Sequence, residues 1–163
     1  MVEEKCIEVL WKLGQMDLGS HPKLRQSQWQ AVIRLVGVLL SEHYDSLLIS
    51  QHPTAKPYLH ELSLKRDLPT RMWRYGIQGF LKLPLLESDI NFLSFFRQAY
   101  SMVALLYETT PRLKAIWIEY LYELASYRMA IEDPGTRDKE IWGITHQYWG
   151  SLRRRPTSLY RIS

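Results

Sequence analysis

The fold of this chain is decided by residues 92–133, which read FLSFFRQAYSMVALLYETTPRLKAIWIEYLYELASYRMAIED. Apolar side chains recur there at spacings of four and three residues, the period of one face of an α-helix. Pro111 divides the stretch into two helical segments. The pattern therefore predicts an antiparallel helix pair that faces a shared core. The core-facing positions are Phe92, Phe96, Ala99, Val103 and Leu106 before the proline, and Leu113, Trp117, Tyr120, Leu124, Tyr127 and Ile131 after it.

The rest of the chain has the same helical character. Further helices are predicted at residues 2–13, 22–50 and 58–66, from 67 until Pro84, and at 138–152. In the third of these Leu59 and Leu62 are expected to face inward, and in the fourth an apolar stripe includes Trp73, Ile77 and Phe80. Sustained two-residue alternation and Asn-Gly or Asp-Gly turns are absent from the sequence. The fold class is therefore predicted to be all-α, an antiparallel bundle of about seven helices.

The length and the last segment bear on domain organisation. A chain of 163 residues suffices for one helical domain with a core, so residues 1–163 are predicted to form a single domain. Residues 1–20 would contribute an N-terminal helix, and residues 134–163 an incomplete repeat hairpin. Tyr148, Ser151 and Pro156 follow the aromatic, small residue and closing proline of a tetratricopeptide repeat's second helix. Such a helix needs a neighbour, so either the product is truncated or this face is open to a partner.

Composition places the chain among intracellular globular proteins. It is 46% hydrophobic and 23% charged, carries a net charge of +4 and has one cysteine, Cys6. A lone cysteine cannot form an intrachain disulfide, which favours a reducing nucleus or cytoplasm. No apolar run is long enough to span a bilayer, so no membrane association is expected. The mild positive charge permits a nucleic-acid partner without requiring one.

Two basic clusters are candidate nucleic-acid sites. Lys65, Arg66, Arg71 and Arg74 are interleaved with Trp73 and Tyr75, a combination that suits phosphate neutralisation and base stacking. The alternative is a solvated helix face whose aromatic residues turn inward. The second cluster is Arg153, Arg154 and Arg155, which could contact phosphates, act as a nuclear address, or form a basic end without a ligand.

Catalytic and metal-binding patterns are absent from the sequence. The five histidines have no metal-ligand spacing, and there are no cysteine pairs, phosphate-binding glycine loops or nucleophile elbows. We therefore expect no enzyme activity, no metal, no cofactor and no small-molecule substrate.

The string WIEYLYELASYRMAIED at residues 117–133 resembles the signature helix of the Ever-Shorter-Telomeres family. That family includes telomerase-recruiting proteins of telomere maintenance and effectors of nonsense-mediated mRNA decay. The flanking strings RMWRYGI at 71–77 and AYSMVALLYET at 99–109 agree with it. The pattern is most similar to the filamentous-fungal branch with its DNA/RNA-binding domain. The resemblance implies a 14-3-3-like helical module with tetratricopeptide-type hairpins that binds RNA or DNA and proteins.

In the decay effectors a lysine and an arginine hold a phosphoserine. Their places fall on Gln78 and Ser126 here, so the resemblance implies that this phosphopeptide cleft is lost. The neighbouring Arg128 is expected to pair with Glu132, four residues on along the same helix. The expected function is a non-catalytic module that contacts nucleic acid and partner proteins. The alternative is a protein–protein scaffold that has lost both ligand sites.

Overall fold

The computed structural model describes residues 2–14, 26–82 and 90–154, and every regular element in these ranges is helical. The all-α prediction is confirmed. The helices are α1 (Val2–Gly14), α2 (Gln26–Ser50), α3 (Pro57–Lys65), α4 (residues 68–81), α5 (Ile90–Thr109), α6 (Lys114–Ile131) and α7 (Arg137–Arg153). A 3-10 turn, Pro111–Leu113, precedes α6. None of the described helices is long and apolar enough to span a membrane.

The chain forms two compact units, Met1–Met102 and Val103–Ser163. The first unit holds α1 to α4 and most of α5, and the second holds the end of α5 with α6 and α7. The single-domain organisation stays a prediction.

Helix α2 is the central element of the first unit, where it packs against α1, α3 and α4. Its buried face follows the helical period, with Val36, Leu40 and Leu47 almost fully buried. The predicted start of this helix at Pro22 and the side chain of Trp29 lie outside the described residues. From α1, Cys6 and Leu10 are buried, and the Cys6 thiol donates to the carbonyl of Leu35 on α2 at 3.5 Å.

A sharp break separates α3 from α4. Asp67 adopts a left-handed conformation with φ 54°, which Asp tolerates better than most residues. Its N–H donates to the carbonyl of Leu64 at 3.1 Å, and this bond closes the end of α3. Pro69 then occupies the first turn of α4, where its missing N–H costs little. The two basic residues Lys65 and Arg66 therefore stand at the end of one helix, just before the turn.

Half of helix α4 is π-helical. It begins as the α-helical turn Leu68–Arg71, continues as the π-helix Met72–Gln78 and ends as the α-helical turn Gly79–Leu81. The predicted stripe of Trp73, Ile77 and Phe80 is buried, together with the side chains of Met72 and Leu81. Phe80 then packs on the start of α5, where its ring lies 4.0 Å from that of Phe95 and 6.3 Å from that of Phe92.

Helices α6 and α7 form the hairpin of the second unit. Residues 132–136 connect them, and Gly135 there adopts φ 80°, a conformation that favours glycine. Thr136 caps α7 because its hydroxyl accepts a hydrogen bond from the N–H of Lys139 at 3.3 Å. Two acids in the first turn of α7, Asp138 and Glu140, favour the same helix start.

Helix α6 is buried around more of its circumference than a single stripe. Of the predicted core positions, Leu113, Trp117 and Leu124 are buried. Tyr120, Tyr127 and Ile131 are only half-buried. The additional buried residues are Ile118, Leu121, Ala125 and Arg128. At 100° per residue these four residues lie to one side of Trp117 and the three half-buried residues lie to the other, so the buried face is rotated around the helix from the predicted stripe.

Candidate nucleic-acid interface

Helix α3 presents an exposed face that includes an aromatic residue and a cation. Tyr58, Leu62 and Lys65 are four and three residues apart, so they lie on one side of the helix. Tyr58 is 61% exposed and Leu62 is 37% exposed. The prediction that Leu62 faces inward is wrong, because on this short helix Leu59 and His60 turn inward instead. The Tyr58 and Lys65 backbones lie about 10 Å apart at 1.5 Å per residue.

Three of the four cations predicted in the first cluster are available. Lys65, Arg66 and Arg74 are exposed, and within the described ranges no carboxylate lies within 4.0 Å of their charged groups. The acids Glu61 and Asp67 are exposed on the same segment and reduce its net charge. The local field is therefore positive but moderate.

The fourth cation, Arg71, is held within the fold. Its guanidinium donates to Glu3 on α1 through Nη2 at 2.7 Å and Nε at 3.0 Å. The other carboxylate oxygen of Glu3 lies 3.4 Å from Nε2 of the buried His43. Nδ1 of His43 lies 2.9 Å from the carbonyl of Leu39. Because a carbonyl only accepts, Nδ1 carries a proton, and Nε2 can donate to Glu3 only in the imidazolium form. Arg71 thus belongs to a network that joins α1, α2 and α4.

The aromatic residues between these cations turn inward, as the alternative prediction of a solvated helix face stated. Trp73 is 8% exposed and lies on the buried side with Ile77 and Phe80. Tyr75 is half-buried. Neither ring is as exposed as that of Tyr58, so Tyr58 is a candidate stacking residue that sequence reasoning missed. Its i, i+4, i+7 spacing with Leu62 and Lys65 was the available signal.

The second basic cluster is partly engaged with α6. Nε of Arg153 donates to Glu119 at 2.8 Å, and this hydrogen bond raises the pKa of Arg153. The same guanidinium lies 4.5 Å from the centre of the Tyr122 ring. Arg154 is exposed, and its Nε donates to the carbonyl of Gly150 at 3.2 Å. Arg155 lies outside the described residues.

The positions of the implied phosphopeptide cleft are both half-buried. Gln78 ends the π-helix of the first unit, and Ser126 lies on α6 in the second. Arg128 pairs with Glu132 as predicted, and its guanidinium lies 5.9 Å from the centre of the Trp142 ring. At 8% exposure this arginine is largely closed to a ligand.

An apolar hollow of about 360 Å³ lies where α2 ends and α3 begins. Its lining includes Leu48, Ile49, Ala55 and Leu59. The polar His52 at its edge hydrogen-bonds Thr54 at 2.7 Å. The hollow is lined mainly by apolar surface, with few groups that would orient a polar substrate.

Comparison with known proteins shows no family for this chain. No family model matches the chain, and neither a curated protein nor a solved structure matches it.

Proposed function

We propose that this protein is a non-catalytic helical binding module that contacts single-stranded RNA or DNA through α3 and the start of α4. The observation that supports this best is the exposed face of α3, where Tyr58 and Lys65 lie on one side and Arg66 follows. An aromatic ring can stack on any base, and cations neutralise phosphates whatever the sequence. Binding of this kind depends strongly on salt and little on base identity.

Three cations take the phosphate-contacting role in this proposal. Lys65, Arg66 and Arg74 are exposed and lack a carboxylate partner among the described residues. Arg71 instead supports the fold through Glu3. In this proposal the module belongs with the Ever-Shorter-Telomeres and decay-effector proteins that it resembles, and it acts in the nucleus or cytoplasm. It lacks their phosphoserine cleft, because Gln78 and Ser126 stand where the two cations of that cleft would be.

The test is a salt titration of binding to single-stranded RNA and to single-stranded DNA. Replacing Lys65, Arg66 and Arg74 by Gln should weaken binding and lower the slope of log affinity against log salt by about 2, since each phosphate contact on a single strand contributes about 0.7. A matched control replaces Arg34, Lys82 and Arg97, which are also exposed, in the first unit and without a carboxylate partner among the described residues. Equal losses in both triple variants, or no binding at low salt, would reject the proposal.

Tyr58 supplies a second arm of the same test. Tyr58→Ala should weaken binding about 5- to 150-fold, since stacking of one base on an aromatic ring is worth about 1–3 kcal/mol. Tyr58→Phe keeps the ring and should bind as the parent protein does. If both variants bind equally well, no base stacks on Tyr58.

A protein–protein scaffold is the second candidate function. It is favoured because two of the cations predicted to bind nucleic acid are neutralised within the fold. Arg71 and Arg153 are both in ion pairs, with Glu3 and Glu119 respectively. A pull-down after nuclease treatment separates the two functions. A scaffold keeps its protein partners under those conditions, whereas partners bridged by nucleic acid are lost.

A further inference from the structure

The outer face of α7 carries an exposed apolar stripe. Ile141, Ile144 and Tyr148 are 45%, 62% and 55% exposed, although residues of this size are more often buried in a helical hairpin. The opposite side of α7 packs on α6, where Trp149 and Gly150 are buried and Tyr122 stacks on His146 with ring centres 4.4 Å apart. Helix α7 therefore has two apolar faces: one packs on α6, and the other is the exposed stripe.

The spacing of this stripe is that of a coiled-coil seam. Residues 137, 141, 144, 148 and 151 follow one another at intervals of four, three, four and three, so they stay on one line along α7. Ile141 and Tyr148 take the a positions of a heptad, and Ile144 and Ser151 take the d positions. A partner helix packed along this line would cover all three exposed apolar side chains.

The charges of α7 favour an antiparallel partner of the same sequence. The first turn holds the acids Asp138 and Glu140 beside the cations Arg137 and Lys139, whereas the charged residues at the other end, Arg153 and Arg154, are both cations. In an antiparallel pair of two α7 helices, a positions meet d positions, so Ile144 meets Tyr148 of the second copy and Ile141 meets its Ser151. In the same register Glu140 lies opposite Arg154 of the second copy, and both residues occupy g positions of the heptad. Both side chains are exposed, and symmetry forms this ion pair twice.

We propose that two copies of this chain associate through antiparallel packing of α7 along Ile141, Ile144 and Tyr148, with Glu140 and Arg154 fixing the register. The seam is only about two heptads long, so the interface is small and the dissociation constant is expected in roughly the micromolar range. The association is isologous and closes at a dimer, because the same face is used on both copies.

Sedimentation velocity of the full chain over a concentration series tests the proposal. A monomer–dimer equilibrium is expected, and Ile144→Glu should weaken it about tenfold or more, because it buries a carboxylate against Tyr148 of the second copy. Ile49→Glu is the matched control, since Ile49 is also isoleucine on a helix and is 65% exposed, but lies in the first unit. It should leave the equilibrium unchanged.

A charge-swap cycle tests the register. Glu140→Arg and Arg154→Glu should each weaken the dimer, and the double variant should restore it, as a fitted opposite pair predicts. Circular dichroism of each variant confirms that the helices are intact. A monomer at all concentrations overturns the proposal and leaves this face to a helix of another protein. The proposal is also overturned if Ile144→Glu and Ile49→Glu weaken the dimer equally. It is overturned as well if the double charge swap fails to restore the dimer.

Discussion

Arg71 and Glu3 are joined by two hydrogen bonds across 68 residues of sequence, both to the same carboxylate oxygen. Glu3 is 18% exposed as a side chain and Arg71 is 43% exposed, so the pair is partly screened by water. The second oxygen of Glu3 faces His43. This carboxylate therefore links α1 to α4. Its negative charge also offsets the positive potential that Arg71 would present to a ligand.

The first prediction concerns the stability of this network. Glu3→Gln should lower the free energy of unfolding by about 1–2 kcal/mol, because Arg71 loses a charged acceptor in a partly buried place. Urea unfolding at neutral pH measures it. Glu8→Gln is the control: Glu8 pairs with Lys12 across side chains that are 50% and 65% exposed, so the change should leave the urea midpoint nearly unchanged. Similar losses in both variants would show that the Glu3 network adds nothing.

The second prediction separates the cations of the candidate interface. Arg74→Gln should weaken nucleic-acid binding more than Arg71→Gln, because Arg74 is exposed without a described carboxylate partner while Glu3 offsets Arg71. Fluorescence anisotropy with a labelled single strand at low salt measures both. Arg71→Gln should instead show its effect in urea unfolding. A larger binding loss for Arg71 would mean that the ion pair opens when the ligand binds.

Much of this architecture could be predicted from local sequence. The positions of Phe92, Phe96, Ala99, Val103 and Leu106 gave a helix and its buried side, and all five are fully buried. Pro111 and Pro134-Gly135 set the two interruptions around α6. These features depend on residues three to four apart or on the backbone limits of Pro and Gly, so they are visible in one sequence.

Other features depend on partners that are distant in sequence. Nothing near Arg71 indicates Glu3, and nothing near Trp73 indicates that Met72–Gln78 is π-helical. That segment lies where Gly76 meets Leu40 of α2. Its geometry is therefore set by packing, which a helical period does not encode. For the same reason, the availability of each candidate cation could be judged only once its acidic neighbours were known.

The third prediction follows from the contact of Gly76 with α2. A Cβ built on Gly76 would lie 2.7 Å from Cδ2 of the fully buried Leu40. Gly76→Ala should therefore destabilise the protein by about 1–3 kcal/mol, the usual cost of overpacking a core. Gly37, within α2, is the matched control, since its nearest neighbour is Nε2 of Gln98 at 4.0 Å. Gly37→Ala should stabilise by about 0.5–1 kcal/mol through helix propensity. Thermal or urea unfolding of both variants should give opposite signs.

The fourth prediction concerns a buried hydrogen bond at the start of the α6 segment. The indole N–H of Trp117 donates to the hydroxyl of Thr110 at 2.8 Å, and that hydroxyl donates to the carbonyl of Leu106 at 2.6 Å. Thr110→Val keeps the shape but leaves the indole N–H without this acceptor, which should cost about 1–3 kcal/mol. Thr110→Ser keeps the hydroxyl and should lose less. If Thr110→Val and Thr110→Ser unfold at the same urea concentration, the bond is unimportant.

The fifth prediction concerns the reactivity of Cys6. Burial, with further effects from Glu3 and Glu42, raises the pKa of the Cys6 thiol from 9.0 to about 11. Only the thiolate attacks a thiol reagent, so at pH 8 the folded protein should react about 100-fold more slowly than the urea-unfolded chain. Labelling with a chromogenic disulfide under both conditions measures the ratio. Equal rates would mean that the thiol is open to solvent.

The same thiol gives a stability effect with a defined sign. A raised pKa in the folded state means that folding favours the protonated thiol, so this contribution is complete below about pH 9. It is then lost as the pH rises through 9 towards 11, where the unfolded chain ionises first. Urea unfolding should show the parent protein losing more stability than Cys6→Ala between pH 8 and pH 10.5. Parallel pH profiles for the two proteins would contradict the assignment, because Cys6→Ala removes the only thiol while leaving every other titrating side chain in place.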